Sequence, residues 1–179
     1  MVLLRYFVIL ISLGILFSSD ETLTEKAGDI MQLAIPLAGL GSTYVIDDKI
    51  GKKQFWKSYL STAFLTYFLK ITINRERPSG GGWSFPSGHT ASAFSGAMFI
   101  NNRYGAKYGI PSLLLASFVG YSRVHADKHY WGDVMAGASI GIASNMIFTK
   151  KGEQLNSNRL VTLQYIPIAN RIKFNFKLK

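Results

Sequence analysis

The chain has 179 residues, enough for one domain and too few for two. Charged residues make up 17% and hydrophobic ones 48%, against about 25% charged in an average soluble protein, which points to a bilayer or an unusually apolar helical core. The absence of cysteine excludes disulfides, thiolate metal sites and cysteine nucleophiles, and a formal charge of +10 suits anionic partners.

Residues 3–17 are apolar apart from Arg5, Ser12 and a few small side chains. They read as either a signal peptide or a first membrane helix. Ala27 to Ile46 is the next apolar run, interrupted by Asp29 and Gln32 and with a kink expected at Pro36. A polar break follows over 47–53. Gln54 to Asn74 reads as a helix rich in Phe, Leu, Tyr and Thr, stopped by Arg77-Pro78. After a glycine-rich loop, His89 to Asn101 is a helix of small residues suited to close packing. Lys107 to Arg123 and His129 to Phe148 bring the apolar segments to six. Several are shorter than the roughly 20 residues an upright span requires, so a soluble helical bundle is the competing architecture.

The tail differs in kind. From Arg171 to Lys179, Ile172, Phe174, Phe176 and Leu178 alternate with polar residues, the period of a half-buried strand. Leu160 to Ile166 offers a partner strand across a turn at 167–170; the alternative is a basic tail lying on anionic lipid. The expected organisation is a signal peptide or first helix over 1–19, a helical domain over 20–152 and a basic tail over 153–179.

Lysine and arginine carry topological information. If the chain enters from the cytoplasm and crosses at each segment, the inner side holds Arg5, Lys49, Lys52, Lys53, Arg103, Lys107 and the tail. That is the bias the positive-inside rule expects. The outer side holds Lys26, Lys70, Arg75, Arg77, Arg123 and Lys128, nearly all within a few residues of a motif.

Three clusters then fall at helix mouths on that outer side: Lys70 with Arg77-Pro78, Pro86-Ser87-Gly88-His89, and Ser122-Arg123 with His129 and Asp133. Together they read as a phosphate cage. Lys70 and Arg77 are seven apart, two helical turns on one face. With Arg123 they give three cations for a phosphate and the charge that builds during its transfer. Ser87 and Gly88 precede a helix, where backbone N–H groups and the serine hydroxyl can point at an anion. His129 and Asp133, four apart, make an imidazole backed by a carboxylate. His129 is therefore the expected nucleophile, forming a phosphohistidine. His89 is expected to protonate the leaving oxygen and then activate water. Three cations and one carboxylate suit Mg²⁺ poorly, so neither metal nor cofactor is expected.

Lys70-x6-Arg77-Pro78, Pro86-Ser87-Gly88-His89 and Ser122-Arg123-x5-His129-x3-Asp133 resemble the three-part signature of the type-2 phosphatidic acid phosphatase and vanadium haloperoxidase superfamily. The motifs cover residues 70–133, and the six-helix pattern extends the resemblance over 1–150. It implies an all-α six-helix membrane bundle, catalysis without metal, and the roles argued above for Lys70, Arg77, His89, Arg123, His129 and Asp133. The membrane members of the family commonly dephosphorylate lipids at the outer face of the cytoplasmic membrane, which here implies a bacterial inner-membrane protein. One departure stands out. Only the seven residues Ser79 to Phe85 separate the first two motifs, too few for a sizeable lid, so Trp83, Phe85 and the helix faces are expected to set specificity. His125, outside the signature, is a further possible substrate contact.

The expected activity is hydrolysis of a lipid phosphomonoester or diphosphate, with the bilayer and the lipid as the partners and no obligate protein partner. Undecaprenyl diphosphate, phosphatidylglycerophosphate, phosphatidic acid and lipid A phosphates are all candidates. Alternatives are phosphoryl transfer to another lipid, vanadate-dependent halide oxidation, and a non-catalytic lipid-phosphate binder. Nucleic acid is disfavoured because the basic residues form no continuous stripe with stacking aromatics.

Overall fold

The computed structural model describes residues 22–152 and the backbone of two strands over 161–166 and 171–176. The first apolar segment, expected over 3–17, lies outside the described residues. So does the turn expected at 167–170. The described body is five helices: α1 (Leu23–Val45), α2 (Lys49–Ile73), α3 (Gly88–Tyr104), α4 (Ala106–His125) and α5 (Trp131–Phe148).

α3 packs against all four others, while α1 meets α4, α4 meets α5, α5 meets α2 and α2 meets α1. Four helices thus ring a central one. The small residues of α3 explain why it takes that place. Ala91, Ala93, Ser95, Gly96 and Ala97 are buried along it and let neighbouring backbones come near. On α5, a side chain at Gly137 would run into the Ser87 carbonyl, so the two helices meet there at backbone distance. Below, Ile35, Phe55, Phe99, Ala116 and Val119 form the apolar centre. The Phe99 ring stands edge-on to Phe55 at 5.1 Å and to Tyr104 at 5.8 Å, an arrangement that favours aromatic pairs.

Local signals fix the helix ends. Asp48 accepts from Gly51 N at 2.8 Å and so starts α2. The polar break expected over 47–53 is accordingly shorter, and Lys49, Lys52 and Lys53 lie in the first turns of α2. Asn74 takes the left-handed conformation (φ 39°) and ends α2. α1 continues through Pro36 as one helix.

The bundle's two ends differ. At one, Arg103 of α3 reaches Asp48 through two bonds, Nε to Oδ2 at 2.6 Å and Nη2 to Oδ1 at 2.5 Å, both side chains buried. Its Nη1 donates to the Lys150 carbonyl at 3.1 Å, tying down the stretch after α5. The signature residues gather at the other end.

Among the described residues no helix is long and apolar enough to cross a membrane. Large apolar side chains nevertheless face outward on four helices: Leu37 (63% exposed), Phe64 (72%), Leu114 (68%) and Ile147 (69%). The strands β1 (Val161–Ile166) and β2 (Arg171–Phe176) pair antiparallel, with Val161 opposite Phe176 and Ile166 opposite Arg171. The period-two pattern at the end of the sequence falls on β2.

Candidate active site

Two connections build the site, residues 74–87 between α2 and α3 and residues 126–130 between α4 and α5. Ser79 N bonds the Asp127 carbonyl at 3.0 Å between them, and Ser87 N ties the first connection to α5 through the Asp133 carbonyl at 2.9 Å.

His129 is 3% exposed and sits just before α5, so it does not share a helical face with Asp133 as the four-residue spacing suggests. Its Nδ1 is 3.7 Å from Asp133 Oδ2, beyond hydrogen-bond reach. Ser84 fills the gap. Its hydroxyl donates to Asp133 Oδ2 at 2.5 Å and lies 3.4 Å from His129 Nδ1. With the serine proton committed to the carboxylate, Ser84 Oγ can only accept from His129, which places the imidazole proton on Nδ1 and leaves the Nε2 lone pair free. Asp133 has other partners too: Tyr130 N reaches Oδ2 at 3.0 Å, and Arg75 Nη1, its carbon 4.3 Å above the Tyr130 ring, reaches Oδ1 at 3.1 Å. Burial and the cations of Lys70 and Arg77 hold His129 well below the usual histidine range, at about 4, against the opposing pull of Asp133. The imidazole is therefore neutral near pH 7.

The expectation that Lys70 and Arg77 project from one helical face is also corrected. α2 ends at Ile73, and Arg77 stands in the following loop, its backbone N–H bonded to the Gly81 carbonyl at 2.9 Å. The two cations still converge. Lys70 Nζ donates to the carbonyls of Trp83 (2.6 Å) and Pro86 (3.0 Å), while the Arg77 Nε is buried without a partner. Trp83 occupies the left-handed region (φ 69°), where a bulky residue is strained, and that turn presents its carbonyl to the lysine.

At the start of α3 the Ser87 backbone differs from expectation: its N–H goes to the Asp133 carbonyl at 2.9 Å and not to an anion. Its hydroxyl pairs with Thr90 Oγ1 at 2.9 Å and caps the helix. Gly88 and His89 follow in the first turn, whose N–H groups have no intrahelical acceptor.

Lys70, Arg77, Gly88, His89 and His129 line one cavity of about 420 Å³. It runs between α1, α2 and α3 past Gln32, Tyr59, Thr62, Thr66 and Ser92. Thr66 Oγ1 is buried there without a partner. Arg123 does not line it. Its guanidinium donates to Asp29 Oδ1 at 2.6 Å, the Glu25 carbonyl at 2.7 Å and Ser122 Oγ at 3.1 Å. Asp29 also meets His89 Nε2 at 3.0 Å. Trp83 and Phe85 do not line the cavity, and His125 is exposed, stacked on Tyr121 with centroids 5.6 Å apart.

Sequence reasoning passed over Asp29, Ser84 and the Arg75–Asp133 pair. The one local signal was an acidic residue inside an apolar helix; Ser84 gave none.

Among the described residues 22–152, helical ring, central helix and a cavity lined by Lys70 and Arg77 define an all-α bundle with a cationic mouth. The chain belongs to the PAP2 superfamily, which matches residues 54–156. It is 40% identical over 131 residues to a lipid A 1-phosphatase of Porphyromonas gingivalis, covering 69% of this chain and 29% of that protein. It is 32% identical over 129 residues to a lipid A 1-phosphatase of Helicobacter pylori, covering 67% of this chain and 64% of the relative. The chain thus spans less than two thirds of either relative. A crystal structure of Aquifex aeolicus LpxE has the same fold, with a TM-score of 0.58 and 23% identity over 78% of this chain and 92% of that one.

Proposed function

We propose that the protein hydrolyses a lipid phosphomonoester or diphosphate without metal, through a phosphohistidine on His129, at the outer face of the cytoplasmic membrane. The observation that carries this is the shared cavity: Lys70, Arg77, His89 and His129 face one space of about 420 Å³, with Ser84 and Asp133 behind the nucleophile.

In the first step His129 Nε2 attacks phosphorus and the bond to the leaving oxygen breaks. The leaving oxygen takes a proton from His89. Asp133, acting through Ser84, offsets the positive charge that develops on the imidazole. In the second step water attacks the phosphohistidine and gives a proton to His89, and the P–N bond breaks to release phosphate. Lys70 and Arg77 neutralise the equatorial oxygens throughout, an electrostatic role that needs no proton transfer. The unpartnered Arg77 Nε is a donor awaiting such an oxygen.

Outward apolar side chains on four helices support the membrane setting, since a surface of that kind seeks lipid or protein cover. Within the lipid class a glycolipid phosphate fits best. The relatives named above are lipid A 1-phosphatases, and a lipid A 4'-phosphatase of Helicobacter pylori is 38% identical over 71% of this chain. A hydroxylated leaving group would satisfy the buried Thr66 hydroxyl in the cavity, whereas an isoprenoid would leave it unpaired.

The test is phosphate release by the purified protein in detergent with excess EDTA, from lipid A 1-phosphate, phosphatidylglycerophosphate, phosphatidic acid and undecaprenyl diphosphate. Release from lipid A phosphate above the others, abolished in His129→Ala, is expected. Strict dependence on added Mg²⁺ would overturn the mechanism, and a preference for undecaprenyl diphosphate would overturn the substrate class.

A further inference from the structure

The two histidines of the cavity each have a carboxylate, and the carboxylates come from different helices. Asp133 stands behind His129 through Ser84. Asp29, on the second turn of α1, places Oδ1 at 3.0 Å from His89 Nε2 and at 2.6 Å from Arg123 Nη1. One turn earlier the Glu25 carbonyl takes Arg123 Nη2 at 2.7 Å. A side chain at Gly28 would overlap the Ser122 hydroxyl and lie 2.7 Å from Arg123 Nη2, so α1 comes this close only because residue 28 has none.

We propose that Asp29 is a positioning residue for proton delivery: its carboxylate orients the His89 imidazole, stabilises it in the protonated form, and at the same time locks Arg123 beside it. The proposal rests on the phosphatase reading above. Charge makes it necessary. His89 is faced by cations from two elements, Arg123 of α4 and Arg77 of the loop after α2, and by His129 from the loop after α4. Burial first, and then both guanidiniums, disfavour an imidazolium and hold His89 below the usual histidine range even with Asp29 beside it. Asp29 is the carboxylate facing His89 that offsets them. A bond to one ring nitrogen also stops the ring from turning, so the edge that faces the leaving oxygen is set before substrate arrives.

In the reaction, the electron pair of the breaking P–O bond takes the His89 proton as the N–P bond forms on His129. Asp29 keeps its own charge throughout. It does not touch phosphorus, and its effect must scale with how much the leaving oxygen needs a proton. An alkyl phosphate leaves as a strongly basic alkoxide; an aryl phosphate leaves as a stabilised phenolate.

The experiment compares full-length wild type, Asp29→Asn and Asp29→Glu in detergent, on an alkyl lipid phosphate and an aryl phosphate ester, across pH 5–9. For Asp29→Asn we expect kcat on the alkyl ester to fall at least 30-fold and on the aryl ester less than 3-fold. The alkaline limb of the alkyl profile should move down by about one pH unit. Asp29→Glu should recover most of the alkyl activity. Equal losses on both esters, or an unmoved limb, would reduce Asp29 to a helix contact and overturn the proposal while leaving the phosphatase reading intact. A wild-type protein that releases phosphate from neither ester would instead sink the reading itself.

Discussion

The hydroxyl of Ser84 donates to Asp133 Oδ2 over 2.5 Å, across 49 residues of chain. It occupies the place where a direct bond from His129 to Asp133 would run, and the carboxylate acts on the imidazole through it. A hydrogen bond to a buried charge contributes about 1.5–3 kcal/mol. Ser84→Ala should therefore lower kcat about 10- to 100-fold with little change in KM, measured as steady-state phosphate release. Arg75→Ala removes a half-exposed partner of the same carboxylate and should cost less than about 1 kcal/mol, because solvent already screens that pair. Similar losses in the two variants would refute the relay.

His129 keeps its nucleophilic lone pair down to about pH 4 because burial and the neighbouring cations oppose its protonation. Rapid-quench formation of the phosphohistidine should be half lost near pH 4 on its acid side, while its alkaline side follows the proton on His89; an acid limb near 6.5 would contradict the site's electrostatics. The same shift bears on stability. An unfolded chain protonates this histidine near 6.5, so the unfolded state binds the extra proton between about 6.5 and 4. Stability then falls as pH drops through that window, by at most about 3 kcal/mol. His129→Gln should flatten this part of the profile in thermal unfolding.

Arg103 and Asp48 are buried at the end away from the cavity. Removing Asp48 takes from Arg103 its buried carboxylate and from α2 its cap, at a cost of about 3–5 kcal/mol. Asp48→Ala should lower the melting temperature by several degrees. Turnover per folded molecule should stay close to wild type. Unchanged melting would mean that water reaches the pair.

Gly137→Ala tests the contact between α3 and α5. The added methyl would press on the Ser87 carbonyl, and overpacking of this kind costs about 1–3 kcal/mol. Ser87 N–H bonds Asp133, so activity should fall along with stability. A variant that melts like wild type would show that the helices can separate there.

Spacing along the chain made six side chains readable as one constellation: Lys70, Arg77, His89, Arg123, His129 and Asp133. Each lies at or beside a helix end, where the pattern of apolar runs is easiest to follow. What spacing could not supply was the third dimension. Lys70 and Arg77 look like helical neighbours until Asn74 turns left-handed and takes Arg77 off the helix. His129 looks stacked on Asp133, yet α5 begins two residues later. Asp29 reaches His89 across 60 residues of sequence, and no local pattern marks such a pair. Similarly, α2 began earlier than its apolar run because the cap at Asp48 outweighs the polar composition of the first turns. Period and composition locate helices; a carboxylate's choice among distant partners depends on packing.

The stretch from Ser79 to Phe85 has the composition of a surface loop, the part of a protein that ordinarily absorbs insertions during evolution. Here that freedom is confined to its first half, where the space around Gly80 and Gly81 is open. Trp83 steadies Lys70 through its carbonyl, and Ser84 holds Asp133 in the next position along. A residue added between Trp83 and Ser84 would part the two contacts. Descendants of this chain can thus acquire new headgroups by changing the walls of the cavity on α1 and α2 or lengthening the glycine turn, while the Trp83–Ser84 step stays fixed.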